Sequence, residues 1–441
     1  RFKGLIDDVR IYKSDLSAED VQLLATRDSI DAIVATKTQD RTAGQAAKLR
    51  AYFLEHQAPR HIQAVRESIR DLRKQKLEFE ESFPTTMVME ELPIARDTFV
   101  LARGQYDKPG EKVFPGVPSS LYPLPTGAAG NRLALARWLV DPANPLTARV
   151  AVNRFWQSYF GTGLVKTVDD FGAQGDAPSH RELLDWLACD FIASGWDMKA
   201  MQKLIVTSAA YRQSSKVTPE LFERDPDNRL LARGPRLRLP AEVIRDQSLA
   251  TSGLLVETLG GPSVNPYQPP GLWKELTGGG DFVQDHGASL YRRSLYTFWK
   301  RTIAPPSMMT FDASAREACS VRETRTNTPL QALTLMNEVT FVEAARALAQ
   351  RAMTAAPTPA ERITLAFRLA LARRPTVSEL AILERNLARN LDQFRDHPEA
   401  AEQLLQVGEA RREPALNAGE LAAYAAVANL ILNLDEAVTK E

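Results

Sequence analysis

The stretch of sequence that decides the fold is NRLALARWLVDPANPLTARVAVNRFWQSYFGTGLVKTVDDFGAQGDAPSHRELLDWLACDF, residues 131–191. Apolar residues recur in it at helical spacing and form two stripes: Leu135, Trp138 and Leu139, then Leu184, Leu187, Ala188 and Phe191. Similar stripes follow at residues 363–371 and 421–432. The sequence therefore predicts a mainly α fold, with a multi-helix globular domain over residues 131–441 and a small β element inside it.

Residues 260–312 interrupt the helical pattern with Gly- and Pro-rich runs such as Gly260-Gly261-Pro262. One strand is predicted there, at Ser294–Trp299. Long irregular insertions often form surface sites, so we expect this segment to shape one.

Three further regions are predicted before residue 131. Residues 84–130 contain seven prolines and read as a Pro/Gly-rich extended arm, with short strands at 98–101 and 112–114. Residues 25–83 read as a helical hairpin or strut that breaks at Gln57-Ala58-Pro59. Its second helix carries apolar residues at alternating spacings of three and four, a heptad-like seam that Lys76 interrupts.

Residues 1–24, RFKGLIDDVRIYKSDLSAEDVQLL, read as a half-buried strand over 2–12 followed by a short helix capped by Ser17. The strand has no partner nearby in the sequence, and the chain starts at Arg1. We therefore expect a longer parent protein with domains upstream of this region.

The bulk composition is that of an ordinary globular protein. Lys+Arg and Asp+Glu both number 55, so the net charge is zero, which disfavours a nucleic-acid partner. No apolar run reaches the ~20 residues that span a bilayer. Two cysteines supply neither a disulfide framework nor a zinc pattern, and Cys189 is expected to be a buried structural thiol.

The densest cluster of titratable residues is the predicted loop that contains Asp169, Asp170, Asp176 and His180. Carboxylates with an imidazole suit a metal site or general acid–base catalysis. The alternative is structural: Ser179 caps the following helix, Asp176 closes a turn, and the other aspartates pair with arginines. The structural interpretation is favoured.

Two other groups are candidate binding residues. Arg238, Glu242 and Arg245 have the spacing of one helical face, which suits either an anion clamp or an internal ion-pair network. The irregular segment supplies aromatic and basic residues that either bind a glycan or fix the loop to the core. These residues are Tyr267, Trp273, His286, Arg292 and Arg293. The remaining tryptophans, Trp138, Trp156, Trp186 and Trp196, are expected in the core.

Several long motifs resemble one known family. Besides residues 131–191 they include RLPAEVIRDQSLATSGLL (238–255), GGPSVNPYQPPGLW (260–273), LYRRSLYTFWKRT (290–302), RTNTPLQALTLMNE (325–338) and NLILNLDEAVTKE (429–441). Residues 87–441 closely resemble the planctomycete surface-type (PSD-type) domain of unknown function that occurs with planctomycete cytochrome c domains. The segment GLIDDVRIYKSDLSAEDV resembles the end of a laminin-G-like, concanavalin A-like jelly roll.

The resemblance implies export to the periplasm or cell surface and an upstream domain that binds haem c. This segment has no C-x-x-C-H motif, so it attaches no c-type haem itself, and no cofactor is expected in it. It also lacks the G-x-x-x-x-G-K-[ST], G-x-G-x-x-G, H-E-x-x-H and G-x-S-x-G motifs. The favoured function is an accessory scaffold or glycan-binding module. The alternatives are a polysaccharide-processing hydrolase, lyase or haem-assisted oxidoreductase, and an assembly protein that binds a partner through residues 41–83.

Overall fold

The computed structural model describes residues 4, 9–12, 15–83, 85–277, 280–317, 319–321 and 325–440. The chain divides into two compact units, Arg1–Lys112 and Val113–Glu441. Nineteen α-helices and two small two-stranded sheets lie in the described residues. The predicted mainly α fold is therefore confirmed.

The first unit consists of short helices, one long helix and a β-hairpin at its end. Its elements are α1 Ala18–Ala25, α2 Ile30–Ala35, α3 Ala43–Tyr52, α4 Arg60–Glu81, β1 Thr98–Leu101 and β2 Pro109–Val113. Helix α1 begins at the predicted cap, where the Ser17 hydroxyl accepts from the backbone N–H of Asp20. Helix α3 packs against α1 and α2.

The break between α3 and α4 lies where the sequence predicts it. A π-helical turn, Phe53–Gln57, ends at the buried Ala58, and α4 starts after Pro59. The expected strand over residues 2–12 falls largely outside the described residues. Within it, residues 9–12 are described and have no strand, with Val9 75% and Ile11 95% exposed.

The second unit contains the remaining helices and one short sheet. Its helices are α5 Arg132–Leu139, α6 Thr147–Phe160, α7 Arg181–Ala193, α8 Met198–Thr207, α9 Pro219–Arg224, α10 Ala241–Ser252, α11 Leu272–Thr277, α12 Pro306–Thr310, α13 Pro329–Asn337, α14 Val339–Ala355, α15 Pro359–Leu371, α16 Val377–Asp396, α17 Pro398–Leu405, α18 Ala418–Leu432 and α19 Asp435–Val438. Strand β3, Leu237–Arg238, pairs antiparallel with β4, Thr439–Lys440.

The largest core lies among α14–α18. Helix α18 is apolar on nearly every side and packs against α14, α16 and α17. Leu348, Phe367 and Leu421 in this core are at most 1% exposed. A second core joins α6, α7 and α8. Across the described ranges, no helix is both long and apolar enough to cross a membrane.

Three local predictions are wrong. Cys189 is exposed, because the buried face of α7 is formed by Leu184, Leu187, Ala188 and Phe191 and Cys189 points away from it. Trp186 on the same helix is 54% exposed. The predicted strand at 294–299 begins instead with a 3₁₀ turn, since Ser294 bonds to Asp246 rather than to a neighbouring strand.

Candidate functional site

Residues 254–305, here called the flap, connect α10 to α12. The flap contains the short α11, two 3₁₀ turns and three isolated β-bridges, Val256 to Arg292, Val264 to Thr297 and Lys300 to Ile303. Segments this irregular need side chains to satisfy their backbone carbonyls. Of the predicted binding residues, Tyr267, Trp273, His286, Arg292 and Arg293 lie in the flap, and Arg245 lies directly beneath it.

Arg245 anchors the flap from below. It lies on α10 and is 4% exposed. Its Nη2 donates to the Leu290 carbonyl at 2.7 Å and its Nη1 to the Arg292 carbonyl at 2.9 Å. Burial lowers the pKa of Arg245, and the nearby carboxylate of Asp246 opposes that shift. All of this places Arg245 in a supporting role, enclosed below the surface.

Arg292 also binds backbone carbonyls, in this case from within the flap. Its guanidinium donates to the carbonyls of Pro262 at 2.9 Å and Thr258 at 3.1 Å. It also lies 3.7 Å from the centroid of the Tyr296 ring. Arg293 is different, because its side chain is 51% exposed and lies 3.6 Å from Asp246. Of this pair, Arg293 is therefore the one whose cation reaches the surface.

A second anchor joins the flap to the loop after α17. The Glu409 carboxylate lies 2.7 Å from His286 Nδ1, and the Glu409 backbone N–H donates to the Tyr267 hydroxyl at 2.9 Å. The hydrogen bond from His286 lowers the pKa of the Glu409 carboxyl. Tyr267 and His286, both predicted ligand-binding residues, therefore contact Glu409, 123 residues after His286.

Beneath this anchor lies a buried polar cluster that the sequence did not reveal. Glu343 on α14 is fully buried, and its Oε1 accepts from the Tyr291 hydroxyl at 2.9 Å. Burial and the Glu343 carboxylate raise the pKa of Tyr291 above its usual value and that of Tyr267 to about 12. Arg346 lies 3.6 Å from Glu343 and donates to the Ala410 carbonyl at 2.7 Å. The cluster ties α14 to the flap and to residues 407–410 of the loop after α17.

One side of the flap groups three aromatic rings with a lysine, here called the aromatic patch: Trp273, Phe282 and Phe298 with Lys300. Phe298 is exposed, and the other three side chains are half-buried. The Trp273 and Phe282 rings meet edge to face at 5.2 Å, and the Phe298 ring lies 6.0 Å from Trp273. Lys300 Nζ lies 4.3 Å from the centroid of the Trp273 ring. Phe298 is 40% exposed and the neighbouring Val283 is 75% exposed. Rings beside a cation suit a ligand that has both apolar faces and hydroxyl or acidic groups.

The predicted loop at 167–180 is held by hydrogen bonds between its own side chains and its backbone. Asp170 Oδ1 accepts from the Gly172 N–H at 2.7 Å, and the Thr167 hydroxyl accepts from the Asp176 N–H at 2.8 Å. Asp169 is exposed, and His180 Nδ1 lies 3.1 Å from the Ser179 hydroxyl. Within the part of the chain that the structure describes, no three His, Cys, Asp or Glu side chains are grouped to hold a metal ion.

Arg238 and Glu242 do not join Arg245 in one clamp. Arg238 Nη1 lies 3.4 Å from Asn327 Oδ1, and its guanidinium faces the Phe311 ring at 5.8 Å. Burial lowers the pKa of Arg238. Glu242 instead lies 3.6 Å from Arg316. The arrangement is one of separate contacts that join helices and loops.

Residues 131–387, more than half of the chain, match the model of one protein family. That family is described as PSD1, protein of unknown function (DUF1553). The matched range lies inside the range 87–441 for which the sequence motifs indicated a resemblance. No curated protein and no solved structure matches the chain.

Proposed function

The chain belongs to the PSD1 family of proteins of unknown function, and we propose that it is an accessory module that binds polysaccharide through the aromatic patch. The observation that carries this proposal is the placement of Trp273 beside Phe282 and Lys300 on a flap whose Leu290 and Arg292 carbonyls are held from below by Arg245. A ring held in place loses little conformational freedom when a sugar stacks on it.

The charge of the patch favours sugars that carry acidic groups. Lys300 lies over Trp273, and the exposed Arg293 belongs to the same flap. Arg292, which the sequence suggested for this purpose, is engaged with flap carbonyls. We therefore expect the patch to bind acidic or sulfated polysaccharides more tightly than neutral ones.

The test is affinity electrophoresis of the chain through gels that contain chondroitin sulfate, xylan or dextran. Trp273→Ala is expected to weaken retardation by about tenfold in apparent Kd, the loss of ~1.4 kcal/mol that one stacked ring supplies. Trp186→Ala is the matched control, because Trp186 is 54% exposed on α7, outside the flap. Absence of retardation in every gel, or equal retardation of the two variants, contradicts the proposal.

Cleavage of a polysaccharide by Asp170 and His180, either by hydrolysis or by the elimination that a lyase performs, has weaker support than the binding role. Asp170 already accepts a backbone hydrogen bond at 2.7 Å, which reduces its availability as a base. An Asp170→Ala variant that lost the release of new reducing ends from a polysaccharide would favour this enzymatic alternative over the accessory role.

Export and haem association remain proposals that rest on the resemblance alone. We propose that the parent protein reaches the periplasm or cell surface and that haem c binds to an upstream domain. Protein isolated from the cell envelope should then show the absorption bands of a covalently attached haem c. Recovery of the full-length protein in the cytoplasmic fraction without haem would contradict both proposals.

A further inference from the structure

Helix α4 carries an apolar seam that is exposed among the residues the structure describes. Five apolar side chains recur along it at spacings that follow the heptad repeat and are 37–64% exposed: Ile62, Val65, Ile69, Leu72 and Phe79. Phe83, 50% exposed, continues the row just after the helix ends. Lys76 occupies the one polar position in the same row. A seam with this repeat is the packing surface of a two-helix coiled coil.

In α4 the basic residues predominate towards the N-terminus and the acidic residues lie at the C-terminus, the reverse of the order that stabilises an isolated helix. Residues 60–76 carry Arg60, Arg66, Arg70, Arg73, Lys74 and Lys76 against Glu67 and Asp71, a net charge of +4, while Glu78, Glu80 and Glu81 give residues 77–81 a net charge of −3. Its first turn has no acidic residue, its last turn has no basic residue, and Pro59 supplies no side-chain cap. The helix dipole favours the opposite order, so α4 lacks the usual local stabilisation.

We infer that α4 pairs with α4 of a second copy of this chain in antiparallel orientation. An antiparallel pair places the net-basic part of each helix beside the acidic end of the other, with Arg66 near Glu80 of the second copy. A parallel pair would place like charges together. Because both surfaces of a two-fold pair are the same, a seam with complementary ends is suited to bind itself.

The existing contacts of these charges do not compete with that pairing. The acidic end is engaged by Lys74 to Glu78 at 3.8 Å and Lys76 to Glu80 at 3.5 Å, within one helix and more than half exposed. Exposed pairs of this kind contribute little free energy. The one polar position of the row, Lys76, lies off the centre of the seam, which is a feature that fixes orientation in coiled coils. This inference does not depend on the glycan proposal.

Sedimentation velocity of the 441-residue chain tests the pairing. The wild type is expected to be a dimer, and Leu72→Lys is expected to raise the dissociation constant by at least about tenfold. Leu77→Lys is the matched control, because Leu77 is 48% exposed on the same helix and lies off the seam. Circular dichroism of each variant checks that it is folded. A monomeric wild type, or equal association of the two variants, overturns the inference.

Charge reversal tests the orientation. Glu80→Arg is expected to weaken the dimer, since it adds a cation beside the basic part of the partner helix. Arg66→Glu combined with Glu80→Arg is expected to restore it, because the two ends are complementary again. If Glu80→Arg leaves the dimer unchanged or strengthens it, the antiparallel arrangement is wrong.

Discussion

The flap and the 167–180 loop are both irregular segments rich in polar residues, yet their polar side chains have different roles. In the flap, Arg292 is 8% exposed and binds carbonyls, and Arg245 does the same from α10. In the 167–180 loop, Asp170 closes a local turn while Asp169 remains at the surface. The comparison teaches that the flap is fixed by buried arginines that bind its carbonyls, whereas the 167–180 loop is fixed by short-range turns of its own.

The largest effect is expected from the anchor beneath the flap. Arg245→Met keeps the aliphatic stem but leaves the buried carbonyls of Leu290 and Arg292 without their donor. We expect a loss of about 3–5 kcal/mol in the free energy of unfolding, measured by urea denaturation. Arg293→Met, at a residue 51% exposed, should cost less than about 1 kcal/mol. Equal losses in the two variants would show that burial does not distinguish these arginines.

An intermediate effect on stability is expected from Glu338, the residue that caps α14, because the charge of Arg245 influences its pKa. Burial raises the pKa of Glu338 from 4.5 to about 7, and Arg245 and the Thr340 hydrogen bonds oppose the shift. Between these two values the folded protein keeps a proton that the unfolded chain has released. This group therefore makes the folded protein less stable as pH rises from about 4.5 to about 7.

Glu338→Gln removes that titration and should make the protein more stable than wild type at pH ~8, with little difference near pH ~4. The measurement is the urea midpoint as a function of pH. Glu384→Gln, at an exposed residue of α16, is the control and should follow the wild type. A Glu338→Gln profile parallel to that of the wild type would contradict the expected shift.

The smallest effect is expected in the 167–180 loop. Asp170→Ala removes the acceptor of the Gly172 N–H and should cost about 0.5–1.5 kcal/mol in the free energy of unfolding. Asp169→Ala, at an exposed position, should stay within about 0.5 kcal/mol of wild type. A larger loss for Asp169→Ala than for Asp170→Ala would reverse the roles assigned to the two residues.

The helices were predictable from the sequence, but their packing was less so. Helix α18 and helix α4 both show apolar periodicity, yet Leu421 is fully buried while Leu72 is 60% exposed. Periodicity reports that one face of a helix is apolar and does not report what covers it. The same limit explains Trp186, which lies on a helix with a buried stripe but points away from it.

The sequence predicted several residues of the candidate site but did not predict which side chains they contact. The sequence singled out Tyr267, Trp273 and His286 because they cluster within one irregular segment. It did not reveal Glu343 or Glu409, which reach the flap from sequence separations of 52 and 123 residues. Such contacts depend on the tertiary fold, and neither residue belongs to a local motif.

Hydrogen–deuterium exchange of the chain with and without saturating chondroitin sulfate tests the central claim most directly. The claim is that the anchored flap, and not the 167–180 loop, is the binding surface. Slower exchange confined to peptides from residues 254–305, with no change over residues 167–180, is the predicted result. Slower exchange over residues 167–180 with an unchanged flap would contradict it.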